Sequence, residues 1–314
     1  MSSEEEAQQH SGSSRRRLLF GAGAAVFAGT GLAMLDQRPA AAVTFPGSGE
    51  AFSSTACQYS DITRDWLYKS AWKFRARTGY NSSGYGLHPK VNSFRMHQET
   101  HTQIGKVARD LHWLGNSYGP AGAKWSLTSF GCGGAKHCKR GYHRYGAAID
   151  ITKVSWGSDR FVDMNVHGRD SRVRLRKRYL AVLAMSRKHF GRVLHTYNDP
   201  DGSHKNHIHL DRGRKAVAMS WNVKDDVTIV QWAARDLAGV SLSIDGIWGP
   251  KTQSAYNTLR TRFKMTTASG GCFNLNPTTS AANQRTFMDL IGKTAMADRN
   301  AGYYTMTSRP NCPV

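Results

Sequence analysis

Acidic side chains are scarce in this chain. Asp and Glu number 22 against 43 Lys and Arg, which leaves a formal net charge of +21 on 314 residues. The shortage says little about fold, but it turns the surface toward polyanions: nucleic acid, anionic lipid or an anionic wall polymer. No internal repeat is present, which excludes a solenoid or propeller. The glycines of Gly21-Ala22-Gly23 follow no strand, which excludes a nucleotide loop there. A strongly apolar span is missing too; the one long apolar run, Leu18 to Leu35, is diluted by glycine and alanine. Hydrophobic residues still make up 39% of the chain and aromatics 10%, which supports a packed core and argues against wholesale disorder.

Ahead of that run stands Ser14-Arg15-Arg16-Arg17-Leu18-Leu19, and after it Ala40-Ala41-Ala42 fits an A-x-A cleavage site. Consecutive arginines before a mildly apolar region read as a twin-arginine export signal over residues 1–42, with an uncleaved membrane anchor as the alternative. The signal implies a prokaryotic cell and a folded, secreted or wall-located product with no stable membrane anchor after cleavage, expected to be a monomer. Residues 43–220 hold 29 basic and 12 acidic side chains, a balance of +17. Outside the cytoplasm that charge is expected to meet anionic wall polymers, and nucleic acid is not expected as a partner. Cysteine is limited to Cys57, Cys132, Cys138, Cys272 and Cys312, which in an exported protein favour disulfides over a thiolate zinc site. Cys132–Cys138 with Cys272–Cys312 is one pairing among several, and it leaves Cys57 over.

Four stretches follow. Residues 1–42 are the signal, 43–90 read as a loose lead-in, 91–220 as one domain and 221–314 as a small, mainly helical domain. Between His97 and Tyr118, Ile104, Val107, Ala108, Leu111 and Leu114 recur at helical spacing. Residues 124–131 and 147–154 read as strands. Ser171 to Phe190 reads as a basic helix, with Val173, Leu180, Leu183 and Phe190 inward and Arg172, Arg176, Lys177, Arg187 and Lys188 outward. Its charges are either a solvated face or a polyanion-binding surface. Residues 192–198 and 207–212 read as a strand pair across an Asp-Pro-Asp-Gly turn. The order helix–strand–strand–helix–strand–strand is an α+β pattern with an antiparallel sheet and flanking helices. Further helices are expected within 225–239, from Pro250 onward and over 281–296.

Two stretches carry chemistry. In "HRYGAAID", His143 to Asp150, a strand entered at Ala147 puts Ala148 and Asp150 on one face, and the small Gly146 and Ala148 let His143 fold back toward the carboxylate. In "HKNHIHLD", His204 to Asp211, His207 and His209 share a strand face and His204 lies at the mouth of the preceding turn. Two imidazoles and a carboxylate make a hydrolytic zinc set with a fourth position for water. An H-x-H alone is weak, and Asp150 alone could close a turn; the two motifs together, both in predicted strands, carry the signal. His112, His189 and His195 sit in apolar or basic periodic segments and read as structural, and His137 beside Cys138 is an outside candidate for a ligand.

The pattern H-x-x-G-x-A-x-D followed by H-x-H resembles the zinc peptidases of the D-Ala-D-Ala carboxypeptidase and hedgehog-type fold. The spacing H-x-x-H-x-H is similar to that of the penicillin-insensitive murein endopeptidases. The resemblance, over roughly residues 90–212, implies a Zn2+ cofactor on His143, Asp150 and His209. It implies catalytic roles for His207, the expected general base, and for His204 as a helper at the loop edge. Three positions depart from the family: Gly141 replaces the usual serine, "TSFGCGG" stands where an upstream arginine is expected, and Asn206 replaces a glutamate of the carboxypeptidases. Arg140 or Arg144 is then the candidate for stabilising the oxyanion. Residues 230–259 resemble the three-helix peptidoglycan-binding module, whose D-G-x-[FW]-G-x-x-T turn reads Asp245-Gly246-Ile247-Trp248-Gly249-Pro250-Lys251-Thr252. Together they imply a peptidoglycan peptidase with a wall-binding domain; the alternatives are a catalytically inactive wall-binding protein and, with the C-terminal module unexplained, an exported nuclease.

Overall fold

The computed structural model describes residues 98–133, 142–143, 147–157, 159–199, 202–213, 217–266 and 275–306, with the backbone of six strands before them. These strands are Val43–Thr44 (β1), Ala51–Phe52 (β2), Ile62–Thr63 (β3), Lys73–Asn81 (β4), Gly84–Leu87 (β5) and Phe94–Arg95 (β6). After them come Gln98–Tyr118 (α1), Ser129–Gly133 (β7), Ala148–Ser155 (β8), Phe161–Asp163 (β9), Val173–His189 (α2), Arg192–Leu194 (β10) and Ile208–Asp211 (β11). Three helices finish the chain: Lys224–Ala238 (α3), Pro250–Arg262 (α4) and Ala281–Met296 (α5). The signal, the five cysteines' pairing, His137, Arg140, Gly141 and Arg144 lie outside the described side chains. Among the described residues no helix is long and apolar enough to cross a membrane.

The protein is α+β. Its sheet runs β10-β11-β8-β7-β4-β5, with β9 also paired to β8. The stretch from β10 to β7 is antiparallel, as expected, but β4 pairs β7 in parallel, Lys73 opposite Ser129. The lead-in 43–90 therefore supplies two strands to the main sheet. Residues 124–128 are not strand; the extended pairing starts only at Ser129.

Strand β8 is central, and its alternation divides the sheet into two faces. Ile149 pairs with Leu210 and Ile151 with Ile208, and all four are fully buried on the helical side. They share one core with α1, whose Ile104, Val107, Ala108, Leu111 and Leu114 are 0–1% exposed. The other face of β8 carries Asp150 opposite His209.

Helix α2 corrects the sequence reading of its faces. Leu180, Leu183 and Phe190 are buried as expected, but Val173 is 42% exposed while Lys177 and Arg187 are buried. The reason is position: α1, α3 and α5 all pack on α2, so it has no continuous solvent face. Arg187, 0% exposed, is neutralised by Asp226 of α3, with Nε 2.6 Å from Oδ1.

The helices after residue 221 share one hydrophobic core with the sheet. At Gly292, α5 comes so close to Met185 of α2 and Leu114 of α1 that an added Cβ would lie 2.7 Å from the Met185 methyl carbon. Gly239 ends α3 at φ 67°, the left-handed C-terminal stop, Pro250 begins α4, and the Ser280 hydroxyl caps α5 by accepting from Asn283 N.

Candidate metal centre

The β8–β11 register does the first part of assembling the site. Asp150 and His209 are directly opposite in an antiparallel pair, so their side chains rise from the same face within reach of each other. His143 sits in a single helical turn before β8, and the backbone bond from Ala147 N to Tyr142 O closes that turn over the strand entrance. The result is a triangle of donors. His143 Nε2 lies 3.0 Å from His209 Nδ1, His209 Nδ1 lies 3.0 Å from Asp150 Oδ1, and His143 Nε2 lies 3.2 Å from Asp150 Oδ1. All three side chains are about nine-tenths buried or more.

These edges test whether a metal fits. Zinc bonds of 2.0–2.1 Å in a tetrahedron separate the donors by about 3.3 Å, so the triangle is one tetrahedral face slightly contracted. The group formed by His143, Asp150 and His209 can hold a metal ion. A second layer supports it. His209 Nε2 is 3.2 Å from Asp211 Oδ2, and a carboxylate there fixes the tautomer that presents Nδ1 to the metal. Asp211 Oδ1 in turn accepts from Gly213 N at 2.7 Å.

Without a metal the triangle is a strong acid–base couple. Burial opposes charge on His209, yet hydrogen bonds to Asp150 and Asp211 outweigh it and push its pKa up to about 9. Burial likewise opposes charge on Asp150, but hydrogen bonds from His143 and His209 hold its carboxyl well below the usual range. The site thus keeps an ionised oxygen at its centre, as a metal ligand requires.

Two further histidines border the triangle. His207 Nε2 is 3.5 Å from Asp150 Oδ1, and its Nδ1 is 2.7 Å from Asn206 Oδ1. His204 lies tilted against both, with ring centroids 5.0 Å from His207 and 5.1 Å from His209. Its Nδ1 lies 3.2 Å from Asp199 Oδ1, and its backbone N–H donates to Asp199 Oδ2. Burial and the neighbouring His209 lower the His204 pKa, against the pull of Asp199.

Every sequence-predicted member of the site that the structure describes is brought to this one place. His112, His189 and His195 stand elsewhere: His112 Nδ1 accepts from Leu127 N, His189 pairs with Asp110 at 2.7 Å, and His195 bonds Thr228 at 3.0 Å. Sequence reasoning missed Asp211 and Asp199. The signal for Asp211 was available, since it stands two residues after His209 on one strand face; Asp199 was read only as a turn residue. At the C-terminal turn, Gln231 clamps the loop, its Oε1 accepting from Asp245 N and Gly246 N and its Nε2 donating to Asp245 and Thr252. Trp248 stacks flat on Trp221, 4.1 Å between centroids and 3° between planes. No known family model matches this chain, and neither a curated protein nor a solved structure matches it.

Proposed function

We propose that this chain is an exported, zinc-dependent peptidase that hydrolyses amide bonds in the stems or cross-links of peptidoglycan. The observation that carries the reading is the buried donor triangle of His143, Asp150 and His209, bordered by His204 and His207. A zinc ion on those donors would supply a Lewis acid that acidifies water and polarises a carbonyl.

The flanking histidines divide by their partners. Nδ1 of His204 meets both Ser203 Oγ and the Asp199 carboxylate; donated to that carboxylate, its proton leaves Nε2 as the basic atom, and a lowered pKa keeps the ring neutral near pH 7, which suits a general base. Both ring nitrogens of His207 face oxygens, which suits a donor toward developing negative charge. The stacked Trp221–Trp248 pair and the clamped turn support a wall-binding role for the C-terminal helices, and the basic surface supports retention on anionic wall polymers. Purified protein incubated with intact cross-linked peptidoglycan should release new amino termini, and a chelator should stop the release. Release that survives the chelator unchanged, or no release at all, would defeat the proposal.

A further inference from the structure

A second cleft, of about 380 Å³, opens at the N-terminus of α2 and shares no lining residue with the metal centre. Its walls include Trp125, Arg160, His167, Arg172, Arg174 and Arg178, with Asp159 as the one carboxylate among them. Four arginines around one small space is costly unless carboxylates answer them, and here the answers are selective. Arg172 is held by Asp170 through two bonds of 2.9 and 2.8 Å, and Arg160 lies 3.8 Å from Asp159. Next along α2, Arg176 is paired with Asp236 and Lys177 with Asp298. Among the described residues no carboxylate lies within 4 Å of Arg174 or Arg178, and Asp298 and Asp159 attract Arg178 only from farther off.

Arg178 is the telling residue. It is 7% exposed, its Nε has no hydrogen-bond partner, and its guanidinium lies over Trp125 at 4.7 Å from the ring centre. Arg160 lies over the same indole at 5.3 Å. Arginine does not shed its proton in a protein, so a largely buried guanidinium with one unbonded N–H and only distant carboxylates favours the arrival of an anion. The helix end adds to this field. Asp170 accepts from Arg172 N at 2.8 Å, but no side chain caps α2 and no acidic residue stands in its first turn, whose Arg174 and Leu175 line the cleft. His167 adds a donor: its Nδ1 accepts from Asp163 N, which leaves the ring proton on Nε2.

We infer that this cleft is a phosphoryl-binding site, in which Arg174, Arg178, the first turn of α2 and His167 surround one phosphate group. Guanidinium forks and helix N–H groups match a tetrahedral, multiply charged oxyanion better than a planar carboxylate. The phosphate is either free or one unit of a phosphodiester chain passing over the cleft. Burial, against the pull of Asp170 and aided by the charges of Arg172, Arg178 and Lys153, pushes the His167 pKa down to about 4, so it stays a neutral donor.

Calorimetric titration of the full chain with inorganic phosphate and with a glycerol phosphate oligomer tests the assignment without reading hydrolysis. One saturable site is expected, weakened at least tenfold in Arg174→Gln and in Arg178→Met and less in Arg178→Lys. Arg174 is exposed, so that variant retains the fold even if Arg178→Met does not. Arg109→Gln, which removes a surface charge on α1, should bind as the unaltered chain does. Binding of phosphate with no gain for the oligomer identifies a free-phosphate site; tighter binding of the oligomer, displaced by phosphate, identifies a phosphodiester chain. Absence of a saturable site for either probe, acetate binding as tightly as phosphate, or equal losses in Arg109→Gln and Arg174→Gln would overturn the assignment.

Discussion

Three imidazoles meet at Asp150 Oδ1: His143 and His209 at 3.2 and 3.0 Å, His207 at 3.5 Å. Removing that oxygen takes away the one anionic donor of the triangle, and removing the His209 ring takes away one corner and strands the Asp211 carboxylate behind it. On the proposed zinc-peptidase reading, Asp150→Ala and His209→Ala are each expected to lose the metal after dialysis, read by elemental analysis, together with turnover. His204→Gln should keep the metal and lower the rate of stem cleavage by about 10²–10⁴, the usual worth of a general base. Asp199→Asn should lower it less, because it disturbs only the tautomer. A His204→Gln protein that turns over at the full rate would assign the base to His207. The triangle was legible because period 2 along two strands puts Asp150 on a known face and His209 on another. Which faces would meet was not, because the β8–β11 register is a long-range pairing that no local pattern states.

Helix α2 shows where an element's own sequence misleads. Its alternation of apolar and basic residues reads as one buried and one wet face, yet Arg187 is fully buried and pairs with an equally buried Asp226. A period describes one helix; how many neighbours cover it depends on α3 and α5, more than thirty residues further on. Pairing of this kind contributes through the cost of breaking it. Asp226→Ala leaves the Arg187 charge buried without its carboxylate and removes the acceptor of Ser220 N, so a loss of about 3–5 kcal/mol is expected in denaturant unfolding. Replacing both partners, Arg187→Met with Asp226→Leu, should recover much of that loss. Recovery would show that the buried charge, rather than the helix contact, sets the cost.

At the scale of the whole molecule, stability between pH 6.5 and 4 falls through histidines that the fold buries uncharged, His195 and His167 among them. Burial pushes His195 down to about 3 and His167 down to about 4, against an unfolded value of 6.5. Below pH 6.5 the unfolded chain takes up protons that the folded chain refuses. The stability these rings confer is whole above pH 6.5, falls as the pH drops, and is spent for His167 near pH 4 and for His195 near pH 3. Each ring steepens the fall by at most about 1.4 kcal/mol per pH unit. His195 carries the cleaner test: it is 0% exposed, bonded to Thr228 and packed against Trp232 where β10 meets α3. His195→Gln keeps a polar partner for the Thr228 hydroxyl but binds no proton when unfolded. Chemical unfolding between pH 6.5 and 4 should therefore show a slope shallower by about 1.4 kcal/mol per pH unit in this variant. Parallel slopes in the two proteins would mean that His195 already takes a proton in the folded state, and that the junction between sheet and C-terminal helices opens before the rest of the core.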